Sequence, residues 1–422
     1  MRKIWSQQSE LVKNFLTLFS GTFLAQVAPF LASLLLARLF LPEEFGEFGV
    51  VMSMVSVCAV MISGRYELAL VLPKSDRAGK AISVASMLFT LVYSVLLGIV
   101  AWIFWPQIGA YLQLQNPYWV LVVPGICFVA GIYNPFSYWL TRKKAFKRAA
   151  VNKVVQTWSL AGVSLVLGFL AVRSGLIYGY IAGWVLLTGF SIYQARLENW
   201  DLKGISWRAV RRMAHEFREF PLLNSLPALL NTLAPHMMVF YISHTFSQDE
   251  VGYYNYARQL LLGPLSMIAT AFAQVYFQRI AEKKQDNESF YSEFRKLFLL
   301  LAGGGLLVAL VVAFLGPWLF KTILGDIWEP SGQFARILVI SYAIQFAVSP
   351  LSTILAALKE MKLATLFPIL YFILMLVLYL LNMQDINRFI PWLTAFESVA
   401  YIIYGLIIWY AVRRYENRLN PR

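Results

Sequence analysis

The chain has 422 residues, 59% hydrophobic and only 14% charged, with a mean hydropathy of +0.62. Soluble domains carry about 25% charged residues, so the composition excludes an ordinary soluble domain and points to an all-α integral membrane protein. The net charge of +14 does not indicate nucleic acid, because the basic residues sit in short clusters between apolar runs, as the positive-inside rule expects.

The apolar runs are continuous and about 20 residues long, the length that crosses about 30 Å of hydrocarbon as helix. A β-barrel would need alternating segments of about ten residues. The N-terminal MRKIWSQQSELVKNF leads into an apolar run with no small-residue cleavage pattern, so it is read as a retained first span. Twelve transmembrane helices are expected, at 15–38, 46–64, 81–105, 118–140, 154–172, 175–194, 221–244, 258–277, 297–316, 334–357, 363–381 and 390–412. Cys58 and Cys127 fall inside apolar runs and are read as packing residues, with neither disulfide nor metal implied.

With a cytoplasmic N-terminus, all but six of the 36 lysines and arginines fall on the cytoplasmic side. The six are Arg38, Arg173, Arg258, Lys321, Arg336 and Arg388. This asymmetry predicts that both termini are cytoplasmic. The segments opposite are short and several are acidic, as at 42–44 and 248–250. Trp102, Trp105, Trp119, Trp318 and Trp392 lie near span ends, as an interfacial belt would.

The sequence repeats itself. At an offset of 206 residues, Pro29 meets Pro235, and Glu43-Glu44-Phe45-Gly46 meets Asp249-Glu250-Val251-Gly252. At an offset of 215, Asn134-Pro135 meets Ser349-Pro350, and Lys144 and Lys147 meet Lys359 and Lys362. Each half holds six expected spans, so the copies enter the membrane in the same sense, a parallel repeat of the kind found in some transporters. Two pseudo-symmetric six-helix lobes are expected, at 1–194 and 219–422, joined by a basic cytoplasmic linker at 195–218.

Charge near hydrocarbon marks candidate sites, because it is expensive there and tends to face a cavity. The stretch RYELALVLPKSD at 65–76 breaks two uncharged runs. It is either a cytoplasmic anchor loop or part of a polar site. Arg65, Glu67, Lys74, Arg258, Arg336 and Arg38 are candidate substrate-binding residues. A cationic set suits a phosphate or pyrophosphate group, which Arg can grip bidentately. Arg38, Arg258 and Arg336 have the alternative of snorkelling to the outer interface. Glu397 and His236 are candidate coupling residues. Glu397 either pairs with a cation or carries a proton. His236 either titrates or bonds a carbonyl freed by its neighbour Pro235. Pro29 and Pro235 each kink a span, as fixed bends or as hinges. The sequence contains no GxSxG, HExxH, phosphate-binding GxxxxGK[ST] or Cys/His metal spacing, and neither an enzyme activity nor a cofactor is expected.

Several stretches, in order along almost the whole chain, resemble one family. They are RYELALVLPKSD at 65–76, LPEEFGEFG at 41–49, VGYYNYAR at 251–258 with Pro264 and AQVYF at 273–277, and LGDIW at 324–328 followed by SPLS at 349–352. Together they are similar to Wzx-type O-antigen and polysaccharide flippases of the multidrug/oligosaccharidyl-lipid/polysaccharide exporter superfamily. The resemblance implies the MATE-like exporter fold and alternating access. It implies export of an undecaprenyl-pyrophosphate-linked glycan across a bacterial inner membrane in lipopolysaccharide biosynthesis. Membrane lipids, a polysaccharide polymerase and a chain-length regulator are the implied partners. The alternatives are a drug or cation antiporter on the same fold and a membrane glycan polymerase. Antiporters of the superfamily typically place acids in the cavity, whereas 15–38 contains none. A polymerase would bring a sizeable outer loop, and none is expected here.

Overall fold

The structure, a computed structural model, describes residues 30–419. The described residues are helical, joined by turns, with no strand among them. In order, the helices are α1 (Phe30–Leu39), α2 (Pro42–Ala59), α3 (Tyr66–Ala69), α4 (Asp76–Tyr111), α5 (Trp119–Arg142), α6 (Phe146–Phe169), α7 (Gly175–Leu197), α8 (Trp207–Glu216), α9 (Ser225–Thr245), α10 (Gln248–Gln285), α11 (Tyr291–Leu324), α12 (Glu329–Val348), α13 (Thr353–Ala357), α14 (Met361–Leu380) and α15 (Ile386–Leu419). Eight segments are long and apolar enough to cross a membrane: α4, α5, α7, α10, α11, Asp326–Ala357, α14 and α15. The other expected spans fall on α1, α2, α6 and α9. Most of the first one, with Pro29, lies outside the described residues.

Several expected spans change shape, with α10, α11 and α15 all longer than the spans read from the sequence. The one at 81–105 is the central part of α4, which runs for 36 residues because Ser75 caps it early, accepting from the Ala78 N–H at 3.3 Å. The one at 334–357 is broken. After α12 the chain tightens into a 3₁₀ turn over Ser349–Ser352, with Pro350 in its first turn, because proline cannot donate the next helical bond.

Local structure repeats as the sequence does. At the end of α5, the N–H groups of Lys143, Lys144 and Ala145 bond the carbonyls of Trp139, Thr141 and Leu140 at 2.9, 3.0 and 2.9 Å. At the end of α13, those of Leu358, Lys359 and Glu360 bond Ile354, Ala356 and Leu355 at 2.8, 3.0 and 2.8 Å. Each residue in the second set is 215 positions after its counterpart. Lys144 and Lys359 both take the left-handed conformation, at φ 56° and 62°, the geometry that satisfies the last carbonyls of a helix.

The chain divides into two compact units. One comprises 35–252. Its core holds Val51, Val55, Val123, Cys127 and Ile177. A second cluster holds Leu70, Ile82, Phe136, Trp139, Val210 and Met213. Val210 and Met213 come from α8, so the 195–218 stretch carries a helix docked on this unit. Ser206 caps it by accepting from the Ala209 N–H at 3.2 Å, and the Tyr66 hydroxyl donates to the Ala214 carbonyl at 3.1 Å. The apolar face of α8 is buried and Arg208, Arg211 and Arg212 are exposed.

Among the described residues, the other unit comprises 253–419 with the N-terminal segment 30–34. Tyr256 ties that segment in by donating to the Ser33 carbonyl at 2.9 Å. Here α11 and α12 pack closely through small residues. A Cβ on Gly305 would lie 2.8 Å from the Ala343 carbonyl oxygen, and one on Gly332 would lie 2.6 Å from the Pro317 Cα.

Candidate functional site

Each unit buries polar side chains inside its apolar packing, and one cluster in each holds a carboxylate beside an arginine. In the 253–422 unit the centre is Glu397, on α15 and 6% exposed. Ser341 on α12 donates to its Oε2 at 2.8 Å, and the Tyr371 hydroxyl on α14 donates to its Oε1 at 3.1 Å. Arg258 on α10 attracts the same carboxylate at longer range. Tyr254, Tyr342 and Tyr401 crowd around these charges. A buried carboxylate needs such donors and a nearby cation, since an unpaired ion in a low-dielectric interior is strongly unfavourable.

Within the cluster the Tyr342 hydroxyl meets Tyr254. On α10 the Asn255 amide nitrogen is buried without a hydrogen-bond partner. Asn255 and Arg258 are three apart on α10 and so share a face. Tyr342 also lines a cavity of about 140 Å³, together with Ser266, Thr270, Gln345, Ser349 and Pro350. Hydroxyl and amide side chains gathered around a small cavity offer the groups that a hydroxylated or anionic ligand would use.

In the 35–252 unit the centre is Glu67, 4% exposed. The Ser63 hydroxyl donates to its Oε2 at 2.6 Å, and the Asn134 amide donates to Ser63 Oγ at 3.3 Å. Arg65 attracts the carboxylate, but burial outweighs both influences and holds the Glu67 carboxyl above the usual carboxylate range. Gly64 and Arg65 both have φ 58°, a left-handed turn that brings Glu67 back against Ser63. The Arg65 Nε is buried without a hydrogen-bond partner.

The rest of 65–76 is held by Arg142 on α5. Its guanidinium donates to the carbonyls of Leu70, Pro73 and Lys74 at 3.0, 2.7 and 3.3 Å, and to Asp76 Oδ1 at 3.2 Å. Lys143 also pairs with Asp76. This end of the stretch is a clamped loop, and Lys74 itself is exposed.

The structure therefore gathers Arg65 with Glu67 in one unit and Arg258 with Glu397 in the other. Lys74, Arg38 and Arg336 are exposed. His236, on α9 beside Pro235, has its Nδ1 2.9 Å from Ser53 Oγ on α2. Sequence reasoning missed Ser63, Asn134, Ser341, Tyr342 and Tyr371. None is charged, and a hydroxyl within an apolar run gives little signal. Asn134 and Ser349 were visible only as repeat partners, and each proves to line its unit's polar site.

A family model described as "Polysaccharide biosynthesis protein" matches residues 35–333. The chain belongs to this family. Among solved structures, one titled as the lipid II flippase MurJ in an inward closed conformation is similar at TM-score 0.75 and 14% identity, covering 94% of this chain and 87% of that one. An inward-facing multidrug resistance MATE family transporter of the MOP superfamily is similar at TM-score 0.63 and 14% identity, covering 96% and 95%. A MOP superfamily transporter from Pyrococcus furiosus is similar at TM-score 0.60 and 14% identity, covering 96% of each chain. A comparison with curated protein sequences finds no significant match. The fold is thus the MATE-like exporter fold, and the protein is a multi-pass membrane protein of this polysaccharide biosynthesis family.

Proposed function

We propose that this protein flips an undecaprenyl-pyrophosphate-linked oligosaccharide, the repeat unit of an O-antigen or related surface polysaccharide. Transfer runs from the cytoplasmic to the periplasmic leaflet of a bacterial inner membrane. The two lobes, 1–194 and 219–422, work by alternating access. The observation that carries this reading is the Arg258 cluster. Its guanidinium lies near Tyr342, which lines a cavity where Ser266, Thr270 and Gln345 stand among apolar neighbours such as Leu262 and Phe346. Arg can grip a phosphate oxygen, while hydroxyl and amide groups match sugar hydroxyls. The family's role in polysaccharide biosynthesis supports a glycan cargo, and the MurJ likeness supports a lipid-linked one.

Arg65 and Arg258 are the cationic substrate contacts in this reading, with Lys74, Arg38 and Arg336 as secondary ones. Glu397 and His236 are the coupling residues, and Pro29 and Pro235 the hinges. A polysaccharide polymerase and a chain-length regulator would act on the delivered cargo. The test is a deletion strain. Loss of surface glycan, with single lipid-linked repeats trapped on the cytoplasmic side, is expected. Single repeats that still reach the periplasm would sink the proposal, and a strain changed only in drug tolerance would favour an antiporter.

A further inference from the structure

The 253–422 unit carries a second site, outside the Glu397 cluster and independent of the proposed cargo. An apolar groove of about 860 Å³ lies between α11, α12 and α15. Phe294, Phe298, Ala302, Ala347, Gly405 and Trp409 are among its walls. The small residues open it and the large ones edge it. Leu306, Leu310, Ile340, Ile402 and Leu406 continue it onto an exposed apolar surface, so it faces the hydrocarbon of the bilayer.

One end of this groove is cationic. Arg413, one turn beyond Trp409 on α15, holds its guanidinium carbon 5.4 Å over the Trp409 ring and 4.4 Å over the Tyr291 ring. It donates one hydrogen bond, from Nη2 to the Tyr291 hydroxyl at 3.0 Å. Arginine has five N–H donors in a fixed fork, so most of this one's capacity faces outward from an exposed residue. The nearby acids are engaged elsewhere. Glu416 accepts from the N–H groups of Phe290 and Tyr291 at 3.1 Å each, and Glu360 takes Arg414 at 3.5 Å. Among the described residues no carboxylate is paired with Arg413.

We infer that this groove and Arg413 form a binding site for an anionic glycerophospholipid, with acyl chains in the groove and the phosphate on the guanidinium. The two aromatic rings fix the cation before any lipid arrives, which lowers the ordering cost of binding. The apolar channel adjoining it supplies the driving contacts for the chains. A basic group at the edge of a spanning helix is also where anionic headgroups gather.

The test uses the full-length protein, delipidated in detergent and titrated with phosphatidylglycerol or phosphatidylcholine under native mass spectrometry. Wild type should retain phosphatidylglycerol at least fivefold better. Arg413→Gln should abolish that preference, while Arg418→Gln, at an exposed arginine of the same helix, should preserve it. Ala302→Phe should weaken retention of both lipids by filling the groove. Ala309→Phe does the same farther along the wall, should the first variant fold poorly. Equal retention of the two lipids by wild type would overturn the site. So would an unchanged preference in Arg413→Gln, or displacement of phosphatidylglycerol by an equimolar polyprenyl phosphate.

Discussion

Gly46 and Gly252 make the same contact from opposite ends. A Cβ on Gly46 would lie 1.9 Å from the carbonyl oxygen of Gln248, and a Cβ on Gly252 would lie 1.9 Å from that of Pro42. Exchanging each residue for its partner 206 positions away converts one contact into the other. Both clashes are with backbone, which cannot swing aside as a flexible side chain can. Gly46→Ala and Gly252→Ala should therefore each destabilise by about 1–3 kcal/mol, the range for overpacking. The two thermal midpoints should fall by similar amounts. A midpoint unchanged in either variant would show that the contact is looser than the geometry states.

Arg142 organises the 65–76 stretch through four hydrogen bonds to backbone carbonyls and Asp76. Arg142→Lys keeps the charge but loses the fork, so two or more of those acceptors are left unpaired. The expected cost is about 1–2 kcal/mol, near the low end for an unsatisfied group, because these acceptors are part-buried or exposed. Amide hydrogen exchange over 70–76 should accelerate markedly, with α7 as an internal reference. Unchanged exchange there would mean that Arg142 does not hold the loop.

Two acids outside the spans should move stability with pH in opposite directions. Burial raises the folded-state Glu67 carboxyl above its unfolded value. The native state then binds more protons than the unfolded state once pH exceeds about 4.3, the unfolded value. Its contribution therefore favours folding at low pH and is lost as pH rises through the folded pKa. Glu67→Gln removes this slope, since its amide oxygen can still accept from Ser63. Asp201 runs the other way. The hydrogen bond from Lys80, at 3.0 Å, holds its carboxyl below the usual range. That stability is present above an unfolded pKa of about 3.9 and lost as pH falls through the folded value. Midpoints measured from pH 4 to pH 8 should rise more across the range in Glu67→Gln than in wild type. Asp201→Asn should flatten the acid limb, read by extending the same scan down to about pH 2.5.

Glu397, Ser341 and Tyr371 form a unit whose parts should not add. Glu397→Gln turns one acceptor into a donor that faces Ser341 or Tyr371, and removes the charge that balances Arg258. Each single change, Glu397→Gln or Arg258→Gln, leaves a buried group without its counterpart. The double variant removes both charges together. It should be less destabilised than the sum of the singles, by about 0.5–3 kcal/mol. Additive losses would show that Arg258 and Glu397 act independently.

The helical membrane class and the repeat were legible because both depend on long-range patterning: continuous apolar runs, and prolines, glycines and charges recurring at fixed offsets. The reciprocal glycine contact and the matched turns at Lys144 and Lys359 follow from that repeat. Arg258 and Glu397 stood out because charge within an apolar run is rare. Their association was not legible, since it depends on how α10, α12, α14 and α15 pack. Ser341 and Tyr371 look like ordinary span residues until the carboxylate between them is seen. The break of the 334–357 span at Pro350 was open to reading from that proline. The apolar run concealed it, because hydropathy registers composition and not backbone continuity.

Translocation itself should separate the two clusters from the exposed cations. Arg258→Ala removes the guanidinium near Glu397 and Tyr342, and Arg65→Ala removes the one beside Glu67. In a deletion strain complemented with each variant, both should reduce surface glycan at least tenfold at matched protein levels in the membrane. Lys74→Ala removes an exposed side chain whose own carbonyl, not its ammonium, takes part in the Arg142 clamp, and should support near-normal surface glycan. Arg258→Lys discriminates further. It keeps a cation against Glu397 but cannot present two parallel donors to a phosphate. If charge balance were its whole role, Arg258→Lys would restore glycan fully. If the guanidinium grips the cargo, stability should recover while surface glycan stays low. Full surface glycan in both Arg65→Ala and Arg258→Ala would end the cationic-site reading.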